Sequence, residues 1–158
     1  MDIAQQRPVD YFSIPPEERE QRVHLTSDLC SIDDERYFIR GYLPLPVQDN
    51  GQEFGWGVWA EVAAPSFFRY LELYESNGSN EPPFRGRLAA DLACYQPSTY
   101  QLPIQVQLRR AEERPLLLFP NHVDHPLASE QRTGITMARV YEILHRSLPE
   151  LFPSDQPE

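Results

Sequence analysis

Residues 37–62 of the chain, YFIRGYLPLPVQDNGQEFGWGVWAEV, decide its fold. The two ends of this stretch, residues 37–43 and 54–62, alternate with the period of two that is typical of a β-strand and are rich in aromatic and β-branched side chains. Pro44 and Pro46 end the first run, and Asn50-Gly51 is a strong signal for a chain reversal. The stretch therefore predicts an antiparallel hairpin.

The second strand of this hairpin has two unlike faces. Its predicted core face carries Phe54, Trp56, Val58, Ala60 and Val62, and its other face carries Gly55, Gly57, Trp59 and Glu61. On the first strand, Arg40 points away from the face of Ile39 and Gly41. Because two glycines leave the backbone bare beside an indole, the second face is either a shallow binding platform or the seat of a closely packed helix. These residues could form a binding patch made of Arg40, Trp59 and Glu61. Arginine and tryptophan are enriched in interface hot spots, and Glu61 supplies an acidic neighbour.

The rest of the chain predicts a single α+β domain over residues 14–148. Further strands are expected at residues 84–92, 102–108 and 115–119, and helices at residues 17–23, 65–75, 126–132 and 136–148. We expect a mainly antiparallel sheet of four to five strands with helices covering one face. Residues 1–13 are predicted to be an irregular N-terminal arm, residues 25–34 to be turn-rich, and residues 149–158 to be a flexible tail.

Composition limits the classes of partner. The 158 residues carry a net charge of −10, and all 14 basic residues are arginine. Nucleic acid and anionic membranes are therefore disfavoured, whereas a basic protein partner is suited to an acidic surface. No run of apolar residues is long enough to span a membrane, and the first residues do not resemble a secretory signal. We expect a cytoplasmic protein without lysine-based chemistry.

The two cysteines give no metal or redox motif. Cys30 and Cys94 match neither a metal-ligand pair nor a CxxC motif, so we interpret both as reduced, mostly buried thiols, with a disulfide between them left open. The chain also has no glycine-rich phosphate loop and no GxSxG elbow. We therefore expect no bound cofactor and no metal.

Residues 121–134, NHVDHPLASEQRTG, are the most distinctive segment. Two imidazoles and a carboxylate lie within four residues, but their spacing fixes no third metal ligand. The favoured interpretation is that Asp124 or His125 caps a helix beginning at Pro126, which Gly134 then ends. The alternative is a small enzyme or ligand-binding site, for which Asp124, His125, Glu130 and Arg132 would have to meet in a cleft.

Several of these segments resemble a known bacterial family. They are Tyr37-Phe38-Ile39-Arg40-Gly41, Trp56-Gly57-Val58-Trp59, and Asp124-His125-Pro126-Leu127-Ala128 with Glu130-Gln131 and Gly134-Ile135. Together they are similar to bacterial domain-of-unknown-function family 2199, from about residue 16 to residue 148. The resemblance implies a small cytoplasmic domain with no established activity. Many members begin with a CxxCG segment, which is similar to half of a zinc knuckle, whereas the first ten residues here contain no cysteine.

Two functional hypotheses from different classes follow. The first is a non-catalytic protein-binding module that engages a partner, expected to be basic, through an acidic and aromatic surface; one version is an immunity protein that inhibits a bacterial toxin. It is motivated by the charge, the small size and the patch of Arg40, Trp59 and Glu61. The second is the enzyme or ligand-binding site at residues 124–132. The sequence does not give the oligomeric state.

Overall fold

The structure is a computed structural model that describes residues 2–148. Within that range the strands are β1 (Asp2–Ala4), β2 (Val23–Leu25), β3 (Leu29–Ile32), β4 (Arg36–Pro46), β5 (Glu53–Val62), β6 (Phe84–Leu88), β7 (Pro103–Gln107) and β8 (Leu116–Leu118). The α-helices are α1 (Arg19–Arg22), α2 (Ala64–Glu72), α3 (Pro126–Thr133) and α4 (Met137–Ser147), and 3₁₀ turns occupy Val9–Ser13 and Pro16–Glu18. The expected α+β class is confirmed.

Five of the strands close into a barrel. β4 to β8 follow one another as an antiparallel meander, and β8 then pairs with β4 where Leu116 lies opposite Tyr42. Since a meander of five strands leaves its first and last strands pointing the same way, the closing pair has to be parallel. The sheet is mainly antiparallel, as expected, but it closes on itself and has eight strands over the described residues instead of four to five.

The barrel interior is built on the predicted core faces of the hairpin. Along β4 and β5 the buried side chains on this face are Ile39, Leu43, Leu45, Phe54, Trp56, Val58 and Ala60. Gly41 lies among them, and a β-carbon there would come within 2.7 Å of Leu117 Cγ and 2.9 Å of the Pro115 carbonyl oxygen. A larger residue would therefore collide with β8 at the point where the barrel closes.

A second, smaller core covers the outside of the same hairpin. This outer core consists of Ile14, Cys30, Ile32, Phe38, Trp59 and Ala89. It is covered by the N-terminal segment, in which β1 pairs in parallel with β5, and by the antiparallel β2–β3 hairpin, which continues the sheet beyond β4. The short strands β1 and β3 lie in the stretches that the sequence analysis expected to be an irregular arm and a turn-rich segment. A three-residue strand carries too few positions to show an alternating pattern.

The ends of the last two helices agree with the sequence. Gly134 ends α3 with a left-handed φ of 85°, which favours glycine. Thr136 caps α4 by accepting a hydrogen bond from the Arg139 amide at 3.1 Å. The sequence predicts an apolar stripe on the last helix made of Met137, Val140, Tyr141, Leu144 and Leu148, whereas in the structure Ile143 is fully buried and Tyr141 is exposed. The predicted tail at residues 149–158 lies outside the described residues, and the division into arm, domain and tail stays a prediction.

Both cysteines are buried and unpaired. Burial in the outer core, together with the nearby charge of Asp10, raises the pKa of the Cys30 thiol to about 12. Burial likewise raises the pKa of Cys94. Both thiols are therefore protonated and unreactive at neutral pH. Among the described residues, no helix is both long enough and apolar enough to cross a bilayer.

Candidate functional site

Trp59 does not form the exposed platform that its flanking glycines suggested. Its side chain is 0% exposed, and its indole Nε1 donates a hydrogen bond to the Gln5 carbonyl oxygen at 3.0 Å. The N-terminal segment covers this face so closely that a β-carbon at Gly57 would meet Ala4 Cβ at 3.2 Å. The indole does lie on the face opposite the barrel interior, as predicted, but the expectation that this face is a binding platform is wrong, because the chain's own N-terminal segment occupies it.

Arg40 is buried beside this indole. It is 4% exposed, its guanidinium carbon lies 5.8 Å from the Trp59 ring centroid, and its Nη1 donates to the Ser27 carbonyl oxygen at 3.1 Å. Burial, and then the neighbouring positive charge of Arg114, lowers the pKa of Arg40. Its Nε has no hydrogen-bond partner among residues 2–148. Arg40 therefore packs under the surface and cannot reach a partner without movement of the segments above it.

Glu61, the third member of the expected patch, belongs to a different cluster. Arg36 donates to both of its carboxylate oxygens, at 2.9 and 2.8 Å, and also reaches Asp10 at 3.0 Å. Tyr100 donates a short hydrogen bond to the same Asp10 oxygen. The cluster ties the N-terminal segment to β4 and β5, so Arg40, Trp59 and Glu61 do not form one exposed patch.

His125 is the N-cap of α3, as the favoured interpretation predicted. Its Nδ1 accepts a hydrogen bond from the Leu127 amide at 3.0 Å, and its Nε2 lies 2.7 Å from the Pro97 carbonyl oxygen, to which it donates. Both ring nitrogens are therefore used by backbone groups, and the side chain is 3% exposed. The neighbouring Asp124 is exposed.

Glu130 and Arg132 hold α3 in place rather than meeting His125 in a cleft. Glu130 accepts from the Tyr95 hydroxyl at 2.6 Å and from Arg139 Nε at 2.7 Å, which links α3 to α4. Arg132 donates to the Val123 carbonyl oxygen at 3.0 Å. None of the cavities recorded among the described residues is lined by Asp124, His125, Glu130 or Arg132.

A cleft of about 420 Å³ opens elsewhere, between the end of α2 and the connection from β7 to β8. Asp28, in the turn between β2 and β3, lies in its lining. The Tyr74 hydroxyl donates to one carboxylate oxygen of Asp28, and Arg114 Nε donates to the other at 3.0 Å. Burial alone would raise the pKa of Asp28, but these two hydrogen bonds outweigh it and hold the pKa below its usual value. Asp28 is therefore an ionised anchor between three segments.

The exposed side of α2 lies beside this cleft. Phe67 and Tyr70 are buried against the barrel, whereas Phe68, Leu71 and Tyr74 are 49%, 41% and 41% exposed. We call the surface formed by Phe68, Leu71, Glu72, Tyr74 and Glu75 the α2 outer face. A second recess, of about 450 Å³, separates part of it from residues 26–29.

The helical spacing within residues 65–75 predicts one apolar face made of Phe67, Tyr70, Leu71 and Tyr74, and so the sequence analysis missed the α2 outer face. The signal that could have revealed it is Phe68. Six aromatic or aliphatic side chains in the eight residues 67–74 are more than one helix face of about 100° can bury.

A third groove, of about 860 Å³, crosses β6 and β7. It is lined by Arg85, Arg87 and His122, and the two arginines are exposed. Arg87 lies across the sheet from Glu61, whose carboxylate is bound to Arg36. This groove is therefore a local cationic surface on an acidic protein.

A comparison with protein families shows to which family the chain belongs. A family model described as "Uncharacterized protein conserved in bacteria (DUF2199)" matches residues 1–135. The chain belongs to this family. The match to DUF2199 extends over the whole barrel, α2 and α3, and stops before α4.

No curated protein and no solved structure matches this DUF2199 chain. The family description names no activity, so chemistry has to be argued from the residues themselves. Within residues 2–148 no group of three or more histidine, cysteine, aspartate or glutamate side chains is arranged to hold a metal ion.

Proposed function

We propose that this DUF2199 protein is a non-catalytic protein-binding module whose partner presents a basic surface. The observation that carries the proposal is the α2 outer face, where Phe68 and Leu71 on the helix and Tyr74 just after its end stay exposed, while the other face of the helix is anchored to the barrel. Large apolar side chains grouped on a surface mark interaction sites more often than isolated ones do.

The energetics of this face suit a docked protein. Complete burial of a large apolar side chain stabilises by roughly 1.5–3 kcal/mol, so a partner that covers three of them gains a substantial part of a binding free energy. Glu72 and Glu75 lie at the edge of the apolar side chains. These carboxylates, with the net charge of −10, favour and accelerate encounter with a positively charged partner.

A bacterial toxin is one partner that this chemistry would suit, and an immunity role is the corresponding form of the proposal. The alternative enzyme hypothesis has no comparable support. The polar atoms of His125 are hydrogen bonded to backbone groups, and Glu130 and Arg132 connect α3 to its neighbours. We therefore propose no catalytic site at residues 124–132.

The test compares two double variants as capture baits in lysate of the source bacterium and with the products of neighbouring genes. The first variant, Phe68→Ser with Leu71→Ser, removes two of the three apolar side chains of the α2 outer face. The control variant, Phe12→Ser with Tyr141→Ser, removes two aromatic side chains that are 62% and 55% exposed elsewhere on the surface. We expect a captured protein of net positive charge whose recovery falls at least tenfold with the first variant and is unchanged with the second.

Mass spectrometry identifies the captured protein, and circular dichroism verifies that both variants are folded. Recovery should also fall as salt is raised from about 50 to 500 mM, because charge attraction between surfaces is screened. Failure to capture any basic protein, or equal recovery with both double variants, would contradict the proposal.

A further inference from the structure

We infer that the cleft between α2 and the β7–β8 connection is a recess for a cationic side chain, a guanidinium or an ammonium group, of the partner. This inference rests on the proposed function, because the recess adjoins the docking surface. Tyr74 and Glu75 belong both to the α2 outer face and to the lining of the cleft. A partner seated on that face would therefore have the cleft within reach of a long side chain.

Tyr70 is an unpartnered polar group in this cleft. It is 8% exposed and lines the cleft, and its hydroxyl makes no hydrogen bond to any residue in the described part of the chain. Burial, and next the charge of Asp28, raises its pKa, so the hydroxyl is neutral at physiological pH and its oxygen can accept a hydrogen bond. The hydroxyl oxygen opens to the cleft, where it can accept a hydrogen bond from a ligand donor in place of solvent.

Charge in the cleft favours a cation. Four carboxylates, those of Asp28, Glu75, Glu112 and Glu113, outnumber three arginines, Arg109, Arg110 and Arg114. All three arginines are already engaged, Arg114 with Asp28 at 3.0 Å, and Arg110 and Arg109 with Glu113 at 3.1 and 3.6 Å.

Two of the carboxylates remain available. Glu75 and Glu112 form no ion pair with any residue between positions 2 and 148. An incoming positive charge would therefore meet uncompensated carboxylates at the rim and the free Tyr70 oxygen further in.

The walls of the cleft suit the aliphatic stem of arginine or lysine. Leu73 and Leu108 supply apolar surface, and the Tyr74 ring offers a face for cation–π contact. A long cationic side chain can bury its methylene groups against such walls while its charged head reaches polar groups. The volume of about 420 Å³ lies within the range of small-ligand sites.

The test uses a small probe instead of the unidentified partner. N-acetyl-L-arginine methylamide is titrated into ¹⁵N-labelled protein, and N-acetyl-L-citrulline methylamide, which has nearly the same shape but no charge, is the matched probe. We expect amide shifts in residues 70–78 and 108–114 with the arginine probe, and at least tenfold weaker binding of the citrulline probe.

Variants then assign the binding groups. Tyr70→Phe, which removes only the hydroxyl, should weaken the arginine probe severalfold, and Glu75→Gln with Glu112→Gln should weaken it about tenfold. The matched control, Glu17→Gln with Glu20→Gln, changes the net charge equally at exposed sites near α1 and should leave binding unchanged.

Equal binding of the two probes, shifts confined to other segments, or unchanged binding in the double Glu75 and Glu112 variant would overturn the inference. The variant with Phe68→Ser and Leu71→Ser separates the two proposals, because it should still bind the arginine probe. If the probe fails to bind while capture of the protein partner still depends on Phe68 and Leu71, the recess is wrong and the docking surface stands.

Discussion

At the scale of single residues, His125 has a side chain that could serve in catalysis or metal binding, but both of its ring nitrogens are hydrogen bonded to backbone groups. The neutral imidazole has one acceptor nitrogen and one donor, and here the acceptor caps α3 while the donor holds the Pro97 carbonyl. The capping role was predictable from the sequence, because Pro126 follows His125 at the first position of the helix. The Pro97 contact was not, since it joins residues 28 positions apart.

Replacing His125 should therefore reduce stability. We expect His125→Ala to lower the free energy of unfolding by about 1–3 kcal/mol, because the cap is lost and a buried carbonyl loses its donor. His125→Asn should lose less, since asparagine also caps helices. The control is Asp124→Ala at the exposed neighbouring position, for which we expect a change of at most about 0.5 kcal/mol in urea denaturation. A fully stable His125→Ala variant would show that these bonds contribute little.

At the scale of elements, β5 has both of its faces buried. The alternation of apolar residues correctly predicted the strand and the face that lines the barrel. It could not predict what covers the second face, because the residues that cover Trp59 there, Gln5 and Ile14, lie about 50 residues away in sequence. The α2 outer face was missed for a related reason, since helical periodicity does not tell how much of a wide apolar stripe the barrel will cover.

The attachment of the N-terminal segment can be tested through Ile3, which is buried opposite Trp56. We expect Ile3→Ala to destabilise the protein by about 2–4 kcal/mol, because a buried side chain is truncated and leaves a cavity. Hydrogen exchange should accelerate at the Gln5 and Val9 amides and at the Trp59 indole, whose hydrogen bonds hold the segment down. Gln6→Ala, at an exposed position of the same segment, is the control. Unchanged exchange at these three groups in Ile3→Ala would show that Ile3 does not anchor the segment.

At the scale of the whole molecule, barrel closure and charge both matter. Sequence patterns predicted all five strands of the meander but not its closure, because one parallel bridge between β4 and β8 depends on strand tilt and on the room that Gly41 provides. The net charge of −10 was evident from composition, but composition does not show which carboxylates are bound by which arginines. Asp33, Glu81 and Glu113 each have a pKa lowered mainly by a hydrogen bond from an arginine, and the pKa of Asp28 is lowered by its bonds to Tyr74 and Arg114 despite burial.

These lowered pKa values predict acid sensitivity. A carboxylate whose folded pKa lies below its unfolded value stabilises the fold above the unfolded pKa, and this contribution is lost as pH falls through the folded pKa. We expect the melting temperature to be nearly constant from pH 7 to about 5 and to fall below about pH 4, where unfolded aspartate and glutamate take up protons. Asp28→Asn should make that fall shallower, and an unaltered acid profile in this variant would contradict the role assigned to Asp28.

The chain's two tryptophans, Trp56 and Trp59, lie three residues apart on opposite sides of β5, one inside the barrel and the other in the outer core. The protein thus contains two indole fluorophores in separate environments. Conversion of either one to phenylalanine would leave a single emitting indole that reports on one core alone. The order in which the two cores separate during unfolding can then be recorded without attaching a dye.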